Sequence, residues 1–110
     1  MIKNTIEEIE SRIRSSESIK EERRRDLLKL LEELKAEVAR LPATQEDRAR
    51  SIAGFTGVST HEATRAEKNP ELLNLSLKGL TSSVEGFESS HPGLVQVVNA
   101  IGTALSNLGI

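Results

Sequence analysis

Glu88 and His91 are the residues whose types and spacing come closest to a metal site. A glutamate followed three residues later by a histidine is the arrangement found in di-metal carboxylate helical bundles. Such a centre needs further carboxylates on facing helices and a second copy of the motif, which a two-fold dimer could supply. Ser90 and Pro92, however, place His91 at a predicted helix break. We therefore predict that Ser90, His91 and Pro92 form a hairpin corner, and metal binding by Glu88 and His91 ranks last among the functional hypotheses.

Two other groups of polar residues have simpler interpretations. His61 and Glu62 have no partner at a useful spacing, which favours a solvated pair. The basic run at residues 23–25 is flanked by acidic side chains that neutralise most of its charge, so it predicts a charged helix face.

The chain contains no cysteine, which excludes a thiolate nucleophile and a cysteine-ligated metal. We expect no enzymatic activity, no catalytic residue, no metal and no cofactor.

The composition argues against a nucleic-acid partner. Fifteen basic and 17 acidic residues give a net charge of −2, whereas general nucleic-acid binders carry a clear positive excess. The aromatic residues are two phenylalanines, so the core must be mainly aliphatic, which suits packing between helices. The acidic residues near the N-terminus do not resemble a signal peptide. We expect a cytoplasmic protein.

Residues 93–110 contain no charged side chain, although 29% of the chain is charged. Their apolar side chains recur at helical spacing, so one broad face of this helix must be covered. A stretch of about 18 residues is at the lower limit for a membrane-spanning helix, and this one also includes Gln, Asn, Thr and Ser. We therefore predict a helix that is buried by protein rather than by lipid.

Residues 2–41 read as a pair of charged helices. Ser18 with Glu21 resembles a capping box, which predicts that the second helix runs from Ile19 to about Leu41. The first helix is short and carries isoleucines that step by four, three and four residues, a heptad-like seam typical of coiled coils, at Ile2, Ile6, Ile9 and Ile13.

Residues 43–69 are predicted to be weakly helical or mobile. Gly54 and Gly57 each cost about 1 kcal/mol in a helix interior, and the neighbouring apolar side chains are small. With such a weak middle, the apolar faces of the remaining helices look wider than one chain can cover. This width favours at least a dimer.

Residues 70–110 are predicted to form an apolar helical hairpin. Asn69 and Pro70 mark a helix start, and that helix should end around Ser89. After the corner, the last helix should end with Gly109 as a left-handed cap and Ile110 folded back onto it. The predicted oligomer or core interface comprises Leu73, Leu77, Leu80, Val84, Phe87, Leu94, Val97, Val98, Ile101, Leu105 and Leu108.

The C-terminal motifs resemble a family of short bacterial proteins known only as a domain of unknown function. Residues 87–94 read FESSHPGL, Asn99 and Ile101 follow, and residues 105–110 read LSNLGI. They match the phrase F-E-x-S-H-P-x-L … L-S-x-x-G-I, and residues 2–41 are similar in a more general way. The resemblance implies an all-helical bacterial protein and no assigned activity.

The sequence as a whole predicts a single all-α domain over residues 1–110, with antiparallel helical hairpins forming a bundle that is completed by oligomerisation. The leading functional hypothesis is a non-enzymatic structural or interaction protein whose partner is a second copy or another protein. The alternative is a peripheral module whose last helix docks on a partner protein or a membrane surface. Interfacial helices usually carry Lys or Arg and often an aromatic residue, and residues 93–110 have none. A membrane role therefore ranks below oligomerisation.

Overall fold

A computed structural model describes residues 2–109 of the protein. Within this range it contains five α-helices, a short 3-10 turn at Ala43–Gln45 and no β-strand. The predicted all-α class is thereby confirmed. None of the helices in the described range is long and apolar enough to cross a membrane. The helices are α1 at Ile2–Ser15, α2 at Glu21–Ala39, α3 at Glu46–Thr64, α4 at Pro70–Ser83 and α5 at Pro92–Gly109.

Helices α3 and α5 form the centre of the bundle. They contact each other, while α3 also contacts α1 and α4, and α5 also contacts α2 and α4. Helices α1 and α2 pair with each other and close the remaining side. The largest fully buried side chains come from all five helices: Ile6, Ile13, Leu27, Leu31, Leu34, Ile52, Leu80, Leu94, Ile101 and Leu105.

The N-terminal pair forms as predicted except at the start of α2. Helix α2 begins at Glu21 after Lys20, and no side chain caps it. The predicted Ser18 cap is wrong, because the N-cap position is occupied by Lys20. The Ser18 hydroxyl lies 3.2 Å from that of Ser16. The turn is held instead by Arg24, whose guanidinium donates hydrogen bonds to the carbonyls of Ile13, Ser16 and Ile19.

Helix α3 lies in the segment that was predicted to be weakly helical or mobile. It is a regular helix of 19 residues. The Thr56 hydroxyl donates to the Ile52 carbonyl at 2.7 Å, and the Thr60 hydroxyl donates to the Thr56 carbonyl at 2.8 Å, so both can be buried. Contacts with three other helices outweigh the low helix propensity of this sequence. Its buried residues are mostly small or polar: Ala49, Ile52, Ala53, Thr56, Ser59, Thr60, Glu62 and Ala63.

Helix α4 begins as predicted but ends early. The Asn69 side chain accepts a hydrogen bond from the Leu72 amide at 3.1 Å, which confirms the predicted cap. The helix stops at Ser83 rather than near Ser89. The cause is Gly86, whose φ of 94° lies in the left-handed region, where glycine has no Cβ to clash.

Helix α5 begins at Pro92, the last residue of the predicted corner. The carbonyl of His91 accepts hydrogen bonds from the amides of Leu94 and Val95 at 3.1 and 3.3 Å, so this residue opens the helix. The predicted cap at the other end requires Ile110, which lies outside the described residues.

Candidate interaction surface on helices α3 and α4

The eleven residues predicted to form an oligomer or core interface all contribute to the core of one chain. Leu77, Val97 and Leu108 are partly buried against this core. These side chains therefore pack within one copy of the chain. A surface for association must be sought among residues that stay exposed. The other eight of the eleven predicted residues are buried in that core: Leu73, Leu80, Val84, Phe87, Leu94, Val98, Ile101 and Leu105.

The predicted hairpin corner has a local structural explanation. The His91 ring meets the Phe87 ring edge to face at 5.4 Å, and its Nδ1 lies 3.1 Å from the Ser90 hydroxyl. The Glu88 carboxylate accepts a hydrogen bond from the Gly86 amide at 2.8 Å, beside the left-handed turn. Within residues 2–109 no cluster of three His, Cys, Asp or Glu side chains could hold a metal ion.

Arg48 joins this corner to helix α3, a role that no sequence motif indicates. Its guanidinium lies 4.0 Å above the centre of the Phe87 ring, a cation–π contact. The same guanidinium donates a hydrogen bond to the Glu85 carbonyl. Arg48 thereby fixes the irregular segment between α4 and α5 against the start of α3.

His61 and Glu62, interpreted above as a solvated pair, point in different directions. His61 is exposed, and its Nδ1 lies 2.9 Å from the Arg12 guanidinium of α1. Glu62 is buried and forms an ion pair with Arg65 at 2.9 Å. Each residue thus has a structural partner, and the two do not form a joint site.

The most deeply buried carboxylate belongs to Glu10, which is 2% exposed. Its Oε1 accepts a hydrogen bond from the Lys35 ammonium at 3.0 Å, while its Oε2 has no hydrogen-bond partner. Lys35 also pairs with Glu32 at 3.0 Å. The hydrogen bond to Glu32, followed by that to Glu10, raises the pKa of Lys35 above its ordinary value of 10.5. This arrangement ties α1 to α2.

The strongest candidate for an interaction surface is apolar and lies on α3 and α4. Four large hydrophobic side chains are prominently exposed in the described chain: Phe55 at 39%, Val58 at 50%, Leu72 at 42% and Leu75 at 66%. Single exposed hydrophobic residues are common, but a group on one face commonly marks a binding site. We call these four residues the α3–α4 patch.

The close packing of α3 on α4 brings the four side chains together. The Phe55 ring lies so near Gly79 that a Cβ there would collide with it. Leu72 and Leu75 precede Gly79 by seven and four residues, so all three occupy one side of α4. Val58 is one turn from Phe55 on α3. The patch therefore runs along both helices on their shared outer side.

Two charged side chains border the α4 part of this patch. Glu71 and Lys78 line a shallow surface depression together with Leu72 and Leu75. Both charged residues are exposed, and neither forms an ion pair within residues 2–109. Leu72 and Leu75 have the same residue type as the buried leucines of α4, so the sequence pattern does not distinguish the exposed leucines from the buried ones.

Comparison with known proteins identifies a family without an assigned activity. The family described as "Domain of unknown function (DUF4404)" matches residues 2–110. No curated protein and no solved structure matches the chain.

Proposed function

The chain belongs to the DUF4404 family of domains of unknown function, and we propose that it is a non-enzymatic interaction protein that associates with a second copy of itself. The α3–α4 patch is the observation that carries this proposal. It is the place where large apolar side chains remain exposed after the five described helices have packed. Covering them would remove unfavourable contact with water, at roughly 25 cal/mol for each Å² buried.

The structure changes the reason for expecting self-association. The sequence suggested a dimer because the middle of the chain looked too weak to cover the apolar faces of the other helices. Helix α3 supplies that cover within one chain. The proposal therefore rests on the outer surface of α3 and α4, rather than on the C-terminal hairpin.

A peripheral module that docks through its last helix is the alternative. The apolar face of α5 is enclosed, with Leu94, Ile101 and Leu105 at 0% exposure. Docking through this face would require the bundle to open. The α3–α4 patch needs no such opening, and we therefore favour self-association. Bacterial origin, the C-terminal signature and a cytoplasmic location are further parts of the proposal, and the first two are drawn from the family resemblance.

Light-scattering measurement of molar mass across a dilution series tests the proposal. A small interface should have a dissociation constant in the range of about 1 µM to 1 mM. We expect the mass to rise with concentration from that of the 12.1-kDa chain towards twice this value. A constant monomer mass up to about 1 mM, beyond the weak end of that range, would contradict self-association.

The same intact protein should be mixed with vesicles of anionic lipid and sedimented. The α3–α4 patch carries one acidic and one basic neighbour on α4, so we expect no enrichment in the vesicle pellet. Strong sedimentation with vesicles, together with a monomer mass in solution, would favour the peripheral alternative.

A further inference from the structure

We propose that two copies of this chain pair antiparallel through the outer face of α4, with Glu71 of each copy bound to Lys78 of the partner subunit. This inference rests on the proposed function and specifies its surface and its symmetry. The supporting observations are the distribution of charge along α4 and the exposure of the leucines between the two charges.

Helix α4 contains two charged residues in all, Glu71 and Lys78. They have opposite sign, and Leu75 lies between them, four residues from Glu71 and three from Lys78. These spacings put the three side chains on one side of the helix, with the two charges about 10 Å apart along its axis. The most exposed large apolar side chain of the described residues thus has a negative group on one flank and a positive group on the other.

A two-fold dimer brings the same surface of both copies together, so that surface must be complementary to itself. When two α4 helices run antiparallel with the axis beside Leu75, Glu71 of one copy lies opposite Lys78 of the partner subunit. The two-fold axis generates the same ion pair at the other end of the contact. One charge of each sign, placed symmetrically about the apolar centre, is the pattern that this geometry requires.

The same pattern disfavours other occupants of the α3–α4 patch. An anionic membrane would be matched by several basic residues, and α4 has a single one. A strongly charged partner would be matched by one sign of charge around the leucines. Phe55 of α3 is partly exposed and lies against Gly79 of α4, so the interface can widen beyond α4 itself.

Charge reversal gives a direct test of the pairing. Lys78→Glu should place two carboxylates opposite each other at both ends of the contact, and Glu71→Lys should do the same with two ammonium groups. Each single variant is expected to raise the dimer dissociation constant by about tenfold at low salt. Both residues are exposed, so the monomer should keep its fold, which circular dichroism and thermal unfolding would verify.

Recombining the reversed charges separates specific pairing from a general charge effect. The double variant Glu71→Lys/Lys78→Glu restores opposite charges at both ends and should recover most of the wild-type affinity. A mixture of the two single variants should form heterodimers in preference to either homodimer. Native mass spectrometry resolves the three species when one variant carries a mass label.

Two further variants test the apolar centre of the contact and provide a control for the charge reversals. Leu75→Ser removes the apolar centre without changing any charge and should weaken the dimer by at least about tenfold. Lys29→Glu makes the same charge change on the exposed side of α2 and should leave the dissociation constant within about twofold.

The outcomes distinguish this inference from the proposed function. If the wild-type protein is a strict monomer, both fail. If it dimerises but the α4 charge reversals and Leu75→Ser leave the dissociation constant unchanged, the α4 interface is wrong while self-association stands. If the single reversals weaken the dimer and the double variant fails to recover, the Glu71–Lys78 pairing is overturned.

Discussion

Helices α3 and α5 lie side by side at the centre of the bundle, yet they are built from opposite kinds of side chain. Helix α5 contains no charged residue and fills the core with Leu, Ile and Val. Helix α3 buries threonine, serine and even a glutamate alongside alanine and one isoleucine. A helix can therefore pack at the centre of the bundle either through large apolar side chains or through small ones that allow close approach.

The difference between the helices should appear first in their sensitivity to lost volume. Leu105 of α5 is fully enclosed, so Leu105→Ala should lower the free energy of unfolding by about 2–5 kcal/mol, through lost burial and the remaining cavity. Urea titration measures this change. Thr103→Ala, on the exposed side of the same helix, is the matched control and should change stability by no more than about 0.5 kcal/mol. A cost below about 1 kcal/mol for Leu105→Ala would show that α5 is not enclosed.

Helix α3 should instead be sensitive to added volume. Ala63 is 1% exposed, so Ala63→Leu should force neighbouring side chains apart and destabilise the protein by about 1–3 kcal/mol. The same substitution at exposed Ala66, just beyond the helix, provides the control and should be nearly neutral. Thermal unfolding of both variants gives the comparison. A stabilising effect of Ala63→Leu would mean that α3 packs loosely and that its small residues are not required.

The smallest expected effect concerns the hydroxyl groups buried in α3. Thr56→Val replaces a hydroxyl that bonds only within its own helix, so it should change stability by less than about 1 kcal/mol. Thr56→Ser keeps the hydroxyl but deletes a buried methyl group, which should cost about 1 kcal/mol. Denaturant titration of the pair gives their order. If the valine variant is clearly the less stable, the hydroxyl contributes more than local hydrogen bonding.

The contrast between α3 and α5 also explains which parts of the fold could be predicted from the sequence. Helices α1, α2 and α5 have wide apolar stripes at helical spacing, and Asn69 has both the residue type and the position of a cap. Helix α3 gives a weak apolar pattern because alanine and threonine are only weakly hydrophobic. Its stability comes from contacts with helices that are distant in sequence, and these contacts cannot be read from a local sequence pattern.

The early end of α4 and the location of the α3–α4 patch were missed for related reasons. Gly86 ends the helix. Val84 and Phe87 nevertheless keep the helical spacing of the apolar residues in α4, so the sequence pattern predicts a longer helix. Leu72 and Leu75 are as apolar as their buried neighbours, and only the position of α3 decides which leucines remain outside. The exposed face could be identified only after the packing partners were known.

Native-state hydrogen exchange compares α3 and α5 within one molecule. If the two helices share one core, the amides of Thr56 and Thr60 should exchange with opening free energies within about 1 kcal/mol of those of Val98 and Ile101, all close to the global free energy of unfolding. Opening free energies for α3 that lie several kcal/mol lower would show that it unfolds separately. That result would contradict the central role of α3 and the fixed α3–α4 surface on which the proposed dimer depends.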